Sequence, residues 1–316
     1  MRNRTFAAIM LAIAVAIMAA SRWIANDYFL SAAYTVLQFV ILATAWNVLG
    51  GYTGYVNFGS AAFFAVGAYT TVFLHKAWQL PLPVMVLAGT LVAGLLGLGV
   101  GYLTLRLRGV FFAIATLALA VVLYTFVVNW DYVGGARGAY IILPRQAPFG
   151  LPSYIHLLFF AMVVMTAIAL VVARAIERSF IGRGLAAIRD DEIAAECAGV
   201  PTLRLKLFSA TVSGALMGMA GTTLPFYLSY VEPSAAFNLS YAVNSIAMPL
   251  IGGMTSWVGP LVGAVLLGTV QQVVQVTVSS AWNLLIVGVL LVLFVTLAPN
   301  GIMGWVEAWR RGKANR

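Results

Sequence analysis

The sequence predicts an all-α, polytopic integral membrane protein of about ten transmembrane helices, the apolar segments allowing roughly eight to ten. Three observations carry this. Of 316 residues, 62% are hydrophobic and only 9% charged, where a soluble domain carries about 25% charged residues. Apolar stretches of about 20 residues, the length a helix needs to cross the hydrocarbon core, recur along the whole chain. Cations crowd onto alternate connections between them. Residues 1–316 are read as one transmembrane domain with a single strongly polar interruption at 174–206.

The elements follow in order. Arg2 and Arg4 precede the apolar run Phe6 to Ala20. A basic start, an apolar middle and small residues after it fit a signal peptide and equally a first transmembrane helix. The second reading is adopted, and either leaves the next helix entering from the same side. Further spans are expected at 29–49, 57–75, 83–105, 109–129, 154–173, 205–228, 240–257, 258–278 and 281–298. Pro249, Gly252 and Gly253 break the 240–257 span. It is a candidate re-entrant segment, which is permitted only where protein or a water-filled cavity surrounds it.

Charge tests this topology. With the N-terminus inside and sides alternating, the inside segments collect Arg2, Arg4, Arg106, Arg108, the cations of the polar stretch, Arg310, Arg311, Lys313 and Arg316. Arg22, Lys76, Arg137 and Arg145 fall outside. The positive-inside rule then places both termini and the polar stretch in the cytoplasm. Orientation in a lipid bilayer also accounts for the net charge of +9, which in a soluble protein would point to nucleic acid. No nucleic-acid partner is expected. The longest outside connection, Trp130 to Ser153, carries Gly134, Gly135, Pro144, Pro148 and Pro152. It reads as a structured, non-helical contact for an external protein.

The polar stretch, Arg174 to Lys206, holds Arg174, Arg178, Arg183, Arg189, Arg204 and Lys206 among Glu177, Asp190, Asp191, Glu192 and Glu196. Each charge at a membrane centre costs about 2.5 to 3.5 kcal/mol, so this stretch must stand in water or against another protein. Arg183 to Ala198 has helix-forming composition, and Asp190 or Asp191 is placed to cap a second short helix beginning near Glu192. Gly199, Val200 and Pro201 form a stop. The stretch is either a solvated helical loop or a docking element for a cytosolic partner.

Candidate pathway residues come from polar and glycine-rich interruptions of the spans. In Gly50 to Ser60, four glycines accompany Thr53, Asn57 and Ser60. Unwound backbone beside small polar side chains is a way to hold a polar solute within a membrane, and a tight turn with packing glycines is the competing reading. Gly54, Asn57, Gly59 and Ser60 are the candidates there. Thr116 is either a pathway residue or bonded to its own helix. Asn244, Gly252 and Gly253 flank the Pro249 break. Gln271, Gln272 and Gln275 are read as interhelical or interfacial, and Trp305 and Trp309 as an inner aromatic belt. The Gly97/Gly101 and Gly214/Gly218 pairs, with Gly221 beyond, suit close helix packing.

Absences narrow the function. No G-x-x-x-x-G-K-[ST] run is present, so any nucleotide hydrolysis by a P-loop belongs to another chain. The spans hold no central Asp, Glu, Lys or Arg of the kind that ion-coupled carriers use. His75 and His156 lie far apart, near expected helix ends, and Cys197 stands alone. No metal site, cofactor or internal disulfide is expected. No nucleophile and base come together in the spans, so the chain is not read as an enzyme.

Four stretches, Gly50 to Thr70, Arg106 to Leu123, Gly182 to Val200 and Ile251 to Gly268, together resemble the branched-chain amino-acid permeases of ABC importers, in particular the LivM-type subunit. The general E-A-A-x-x-x-G signature of ABC permeases is matched by Ala194, Ala195 and Gly199, whereas Ile193 stands where Glu is expected and Glu192 comes one residue early. Which carboxylate meets the ATPase is left open. The resemblance implies an ABC importer permease fold in a bacterial inner membrane. It also implies a second, LivH-like permease subunit, two ABC ATPase subunits and an extracytoplasmic solute-binding protein. Coupling to the ATPase would fall to Arg183, Arg189, Asp190, Glu192, Ala194, Ala195, Glu196 and Gly199. The solute would be a branched-chain or other hydrophobic amino acid. The same architecture carrying urea or short amides is an alternative, and a self-sufficient channel or secondary carrier is one of a different class.

Overall fold

The computed structural model describes residues 3–21, 26–141, 153–277 and separate positions between 285 and 305. The helices run α1 (Asn3–Ser21), α2 (Asp27–Thr53), α3 (Ser60–Trp78), α4 (Leu82–Thr104), α5 (Val110–Val128), α6 (Tyr154–Glu177), α7 (Phe180–Asp190), α8 (Glu192–Cys197), α9 (Thr202–Gly221), α10 (Leu224–Leu228), α11 (Pro233–Ala236), α12 (Leu239–Gly252) and α13 (Val258–Thr277). Six described helical stretches are long and apolar enough to span a membrane: Asp27–Thr53, Leu82–Thr104, Val110–Val128, Tyr154–Glu177, Thr202–Leu228 and Val258–Thr277. The chain is thus an all-α, multi-pass membrane protein. The expected 281–298 span falls largely outside the described residues. So do Trp309, the C-terminal cations, Arg22, Arg145 and the loop prolines at 144, 148 and 152.

Local chemistry sets the boundaries. The Asn26 side chain caps α2 by accepting from the Tyr28 amide, and the helix ends at Gly54 with φ 78°. α2 therefore continues through Gly50 and Gly51, which the sequence reading had placed beyond the span. Pro81 and Pro83 open α4, where a missing N–H costs nothing. Ser153 caps α6. The 205–228 span is interrupted at Thr222 and Thr223, because Pro225 has no N–H to give the Gly221 carbonyl. α12 stops at Gly252, since Gly253 takes φ 115°, ψ 119°, a conformation that suits only glycine. The 240–257 stretch is thus a short helix followed by a break.

α2 is the central helix, buried without interruption from Gln38 to Thr53. It packs against α6, α9, α12 and α13. α5 is peripheral, with Phe111 72% exposed and its neighbour Phe112 turned inward at 2%. In the expected outside connection, residues 131–141 are among those described. Two short 3₁₀ turns lead into β1 (Ala139–Tyr140), which pairs antiparallel with β2 (Tyr230–Val231), Ala139 opposite Val231.

The glycine pairs serve packing. Without a hydrophobic drive between helices in lipid, close contact depends on small residues. A Cβ at Gly97 would strike the Ala210 carbonyl, one at Gly214 the Ala93 carbonyl, and one at Gly218 the Ala93 methyl. α4 and α9 therefore meet nearly backbone to backbone. Replacing Gly218 with valine is expected to separate them at an overpacking cost of about 1–3 kcal/mol. A lowered unfolding temperature in detergent would register it.

Candidate functional site

The two short helices α7 and α8 form a compact unit between α6 and α9. The Ser179 hydroxyl caps α7 by accepting from the Gly182 amide at 3.2 Å. Asp191 caps α8, its Oδ1 accepting from the amides of Ile193 at 2.9 Å and Ala194 at 3.0 Å. Gly199 then takes φ 83°, the left-handed geometry that the Gly-Val-Pro stop called for. A Cβ at Gly199 would meet nothing within 4 Å. The cost of a substitution there is backbone strain, about 1–2 kcal/mol, and not crowding.

The unit has an anchored face and an open face. On the anchored face Glu192 accepts from Lys206 Nζ and from the Tyr55 hydroxyl, each at 2.6 Å. Lys206 also donates to Tyr55 Oη at 3.1 Å and to the Leu105 carbonyl at 3.0 Å. Arg108 adds a longer ion pair at 3.8 Å. One cluster thereby joins α8, α9, the end of α4 and the turn after α2. The side chains of Lys206 and Glu192 are 4% and 13% exposed. Leu185, Ile188 and Ala195 are buried beneath. Glu196 accepts from the Thr202 hydroxyl at 2.7 Å.

The open face carries Phe180, 85% exposed, and Ile193, 60% exposed. The Arg183 guanidinium lies 4.2 Å from the Phe180 ring centroid. Arg189 and Asp190 pair at 3.2 Å on the surface, and Ala194 is exposed beside Ile193.

Burial opposes ionisation of Glu192, but the hydrogen bonds from Lys206 and Tyr55, with the charges of Lys206 and Arg108, outweigh it and hold the carboxyl below its ordinary value. Burial first, then the neighbouring Glu192 carboxylate, pushes the Tyr55 phenol up, so it remains a donor. Because the folded pKa of Glu192 lies below the unfolded one, its contribution is complete above the ordinary carboxylate value of about 4.3. It is lost as pH falls through the lowered value. Thermal unfolding should be insensitive to pH between neutrality and about 5 through this cluster, and should weaken below that range only when Glu192 is present.

The pathway candidates fall into two groups. Gly54, Asn57, Gly59, Ser60 and Thr116 meet in the turn between α2 and α3. Asn57 Oδ1 accepts from the Gly59 amide at 2.8 Å, and its carbonyl accepts from the Trp46 indole at 2.9 Å. The Ser60 hydroxyl donates to the same carbonyl at 3.3 Å. Thr116 donates to the Ala113 carbonyl at 2.9 Å and accepts from the Phe58 amide at 3.2 Å, so it is bonded to its own helix and to the turn. A Cβ on Gly54 would lie 3.4 Å from Arg189 Cγ, which brings α7 against the turn. Tyr55 and Asn57 point inward, and Val56 and Phe58 are exposed.

The second group lies on α12. Asn244 Oδ1 accepts from Gln271 Nε2 at 2.7 Å, an interhelical bond. Gly252 and Gly253 sit at the break, close to the backbone of Gly259. An apolar groove of about 1670 Å³ between α4 and α6 is lined by none of these residues.

The helices overrun the polar stretch expected from the sequence. Arg174 and Glu177 belong to α6 and Lys206 to α9, and both Arg174 and Lys206 are buried within the chain. They stand neither in water nor against another protein, because each has partners inside: rings for Arg174, Glu192 for Lys206. Tyr55, Lys206, Glu177 and Phe180 are site residues that sequence reasoning missed. A lone lysine leading an apolar helix was the available signal, since such a charge requires a partner.

A profile of the branched-chain amino acid transport system permease component family matches residues 28–295. The high-affinity branched-chain amino acid transport system permease protein LivM of Salmonella typhimurium is 26% identical over 289 residues, covering 84% of this chain and 67% of that protein. LivM of Escherichia coli is 28% identical over 221 residues, covering 62% of this chain and 52% of the relative, so the chain spans about half of that protein's length. No solved structure matches the chain. With a family match that runs from the start of α2 past the end of α13, this chain belongs to the permease components of branched-chain amino acid transport systems.

Proposed function

We propose that this chain is the LivM-type transmembrane subunit of an ATP-driven ABC importer for branched-chain and other hydrophobic amino acids. In this reading about ten helices cross a bacterial inner membrane with both termini in the cytoplasm. A LivH-like second permease subunit completes the pathway, two separate ABC subunits hydrolyse ATP, and an extracytoplasmic binding protein delivers the solute. Family membership supports the transport role. The observation that carries the mechanism is the two-faced α7–α8 unit, clamped inward through Glu192 and Lys206 and open outward at Phe180 and Ile193.

The open face is the docking surface for the ATPase, with Arg183, Arg189, Asp190 and Ala194 around the apolar pair. Glu192 and Ala195 hold the unit to the membrane helices, and Glu196 and Gly199 set the connection into α9. Because the unit is fastened at once to α9, the end of α4 and the turn after α2, a push on it moves them together, and packed interfaces respond by switching between discrete arrangements. The turn at Gly54 to Ser60 shapes one part of the pathway, its own polar groups being committed to the turn. The α12–α13 break shapes another.

Affinity purification of the chain from native membranes, followed by mass spectrometry, tests this assembly. A second permease, two ATPase copies and a binding protein released by solute are expected. A chain that purifies without any ATPase under conditions preserving its fold would contradict the reading.

A further inference from the structure

The importer reading leaves unexplained a second, half-buried polar cluster, at the junction of α6 and α7. Glu177 is the last residue of α6, and α7 sits directly on it, because a Cβ at Gly182 would strike the carbonyls of Ile176 and Glu177. Its Oε2 accepts from the Trp257 amide at 2.5 Å and from the Tyr52 hydroxyl at 3.4 Å. Tyr52 also donates to the Ala173 carbonyl at 3.3 Å. Trp257 immediately precedes α13. Amides at a helix N-terminus lack intrahelical partners and carry partial positive charge, so a carboxylate there is held firmly.

The side chain of the same tryptophan is gripped as well. Phe6 packs edge-on against it at 4.9 Å between centroids, and the Arg174 guanidinium lies 3.7 Å from the Phe6 centroid and 5.5 Å from that of Trp257. Arg174 and Glu177, three apart on one helix and so on neighbouring positions of its surface, hold the ring and the N–H of one residue. Beyond Trp257, α13 is locked to α12. A Cβ at Gly252 would strike the Gly259 carbonyl, and one at Gly263 the Met248 carbonyl. The two helices therefore form a rigid hairpin that carries Asn244, Gly252 and Gly253.

We propose that Glu177 is the positioning residue that carries displacement of the α7–α8 unit to the α12–α13 hairpin, by fastening the end of α6 to the N-terminus of α13. This rests on the importer reading. Glu177 touches no solute in this role. It sets where the hairpin stands when the docking unit moves.

The test uses the complete complex in proteoliposomes and two spin-label distances. Cys197 is exposed at the end of α8, and the exposed Val122 on the peripheral α5 provides a common reference. The Cys197/Val122→Cys pair follows the docking unit. The Val273→Cys/Val122→Cys pair, in a Cys197→Ser background, follows α13. In the wild type, ATP is expected to shift both distances. In Glu177→Ala the first shift should persist and the second should largely vanish. Uptake should fall by about tenfold, within the usual range for coupling between sites, while ATP hydrolysis continues. Glu177→Gln, which keeps an acceptor oxygen for the Trp257 amide, should restore part of the second shift and part of the uptake. A full α13 shift in Glu177→Ala overturns the proposal, and so does a loss of both shifts together, which a merely structural role would give. If Glu177→Ala fails to assemble, Glu177→Leu, which keeps bulk but offers the Trp257 amide no acceptor, decides, an undiminished α13 shift overturning the proposal. ATP that moves neither pair in the wild type overturns the importer reading, and this proposal with it.

Discussion

Replacing Glu192 with alanine is expected to destabilise the protein by about 3 kcal/mol, near the lower end for breaking a buried ion pair. The change removes the acceptor shared by Lys206 and Tyr55 and leaves Lys206, a residue only 3% exposed, without its carboxylate. The remaining partners of Lys206 are neutral, the Tyr55 hydroxyl and the Leu105 carbonyl. Removing both charges should hurt less than removing one. The Glu192→Ala/Lys206→Met protein is expected to regain most of the lost stability, because no unpaired charge stays buried. Yet it should not regain uptake, since α8 would no longer be tied to α9 and to the turn after α2. Thermal unfolding of the single and double variants, set beside uptake by the assembled complex, separates the two effects. Equal losses of stability in both variants would mean that the cluster does not act as a pair.

The second large effect is expected at the open face. Phe180 is the most exposed large apolar residue described on the α7–α8 unit, and Arg183 lies over its ring. Aromatic and arginine anchors dominate interfaces, and truncating one typically costs 2 kcal/mol or more. Phe180→Ala should therefore weaken association with the ATPase about 30-fold while leaving the fold of the isolated chain unchanged, since the residue is 85% exposed. A pull-down titration of the ATPase onto the variant measures this. Unaltered binding would place the docking surface elsewhere.

Much of the fold was legible because hydrocarbon length and backbone chemistry act locally. The α4, α5 and α13 bounds fall within a residue or so of the expected spans. The Asp191 cap and the Gly199 stop were visible as residue types at required positions. Other boundaries depend on partners. α2 runs on to Thr53, where Gly51 comes close to the Met254 carbonyl, a contact that exists only once the α12–α13 break is in place. The candidate site divides in the same way. The two helices of the α7–α8 unit could be read from charge and helix formers along one stretch. The carboxylate that anchors it could not, because Tyr55, Leu105 and Lys206 come from three other elements. The role of Glu177 is hidden for the same reason. Its partner is a backbone N–H 80 residues away, and a main-chain donor leaves no residue-type signature.

The most direct measurement is solute accumulation by vesicles containing either this chain alone or the chain with its proposed permease, ATPase and binding-protein partners. The account predicts accumulation against a gradient only in the complete set, only with ATP, and not when Phe180 and Ile193 are both replaced by aspartate. Accumulation by the chain alone would contradict it.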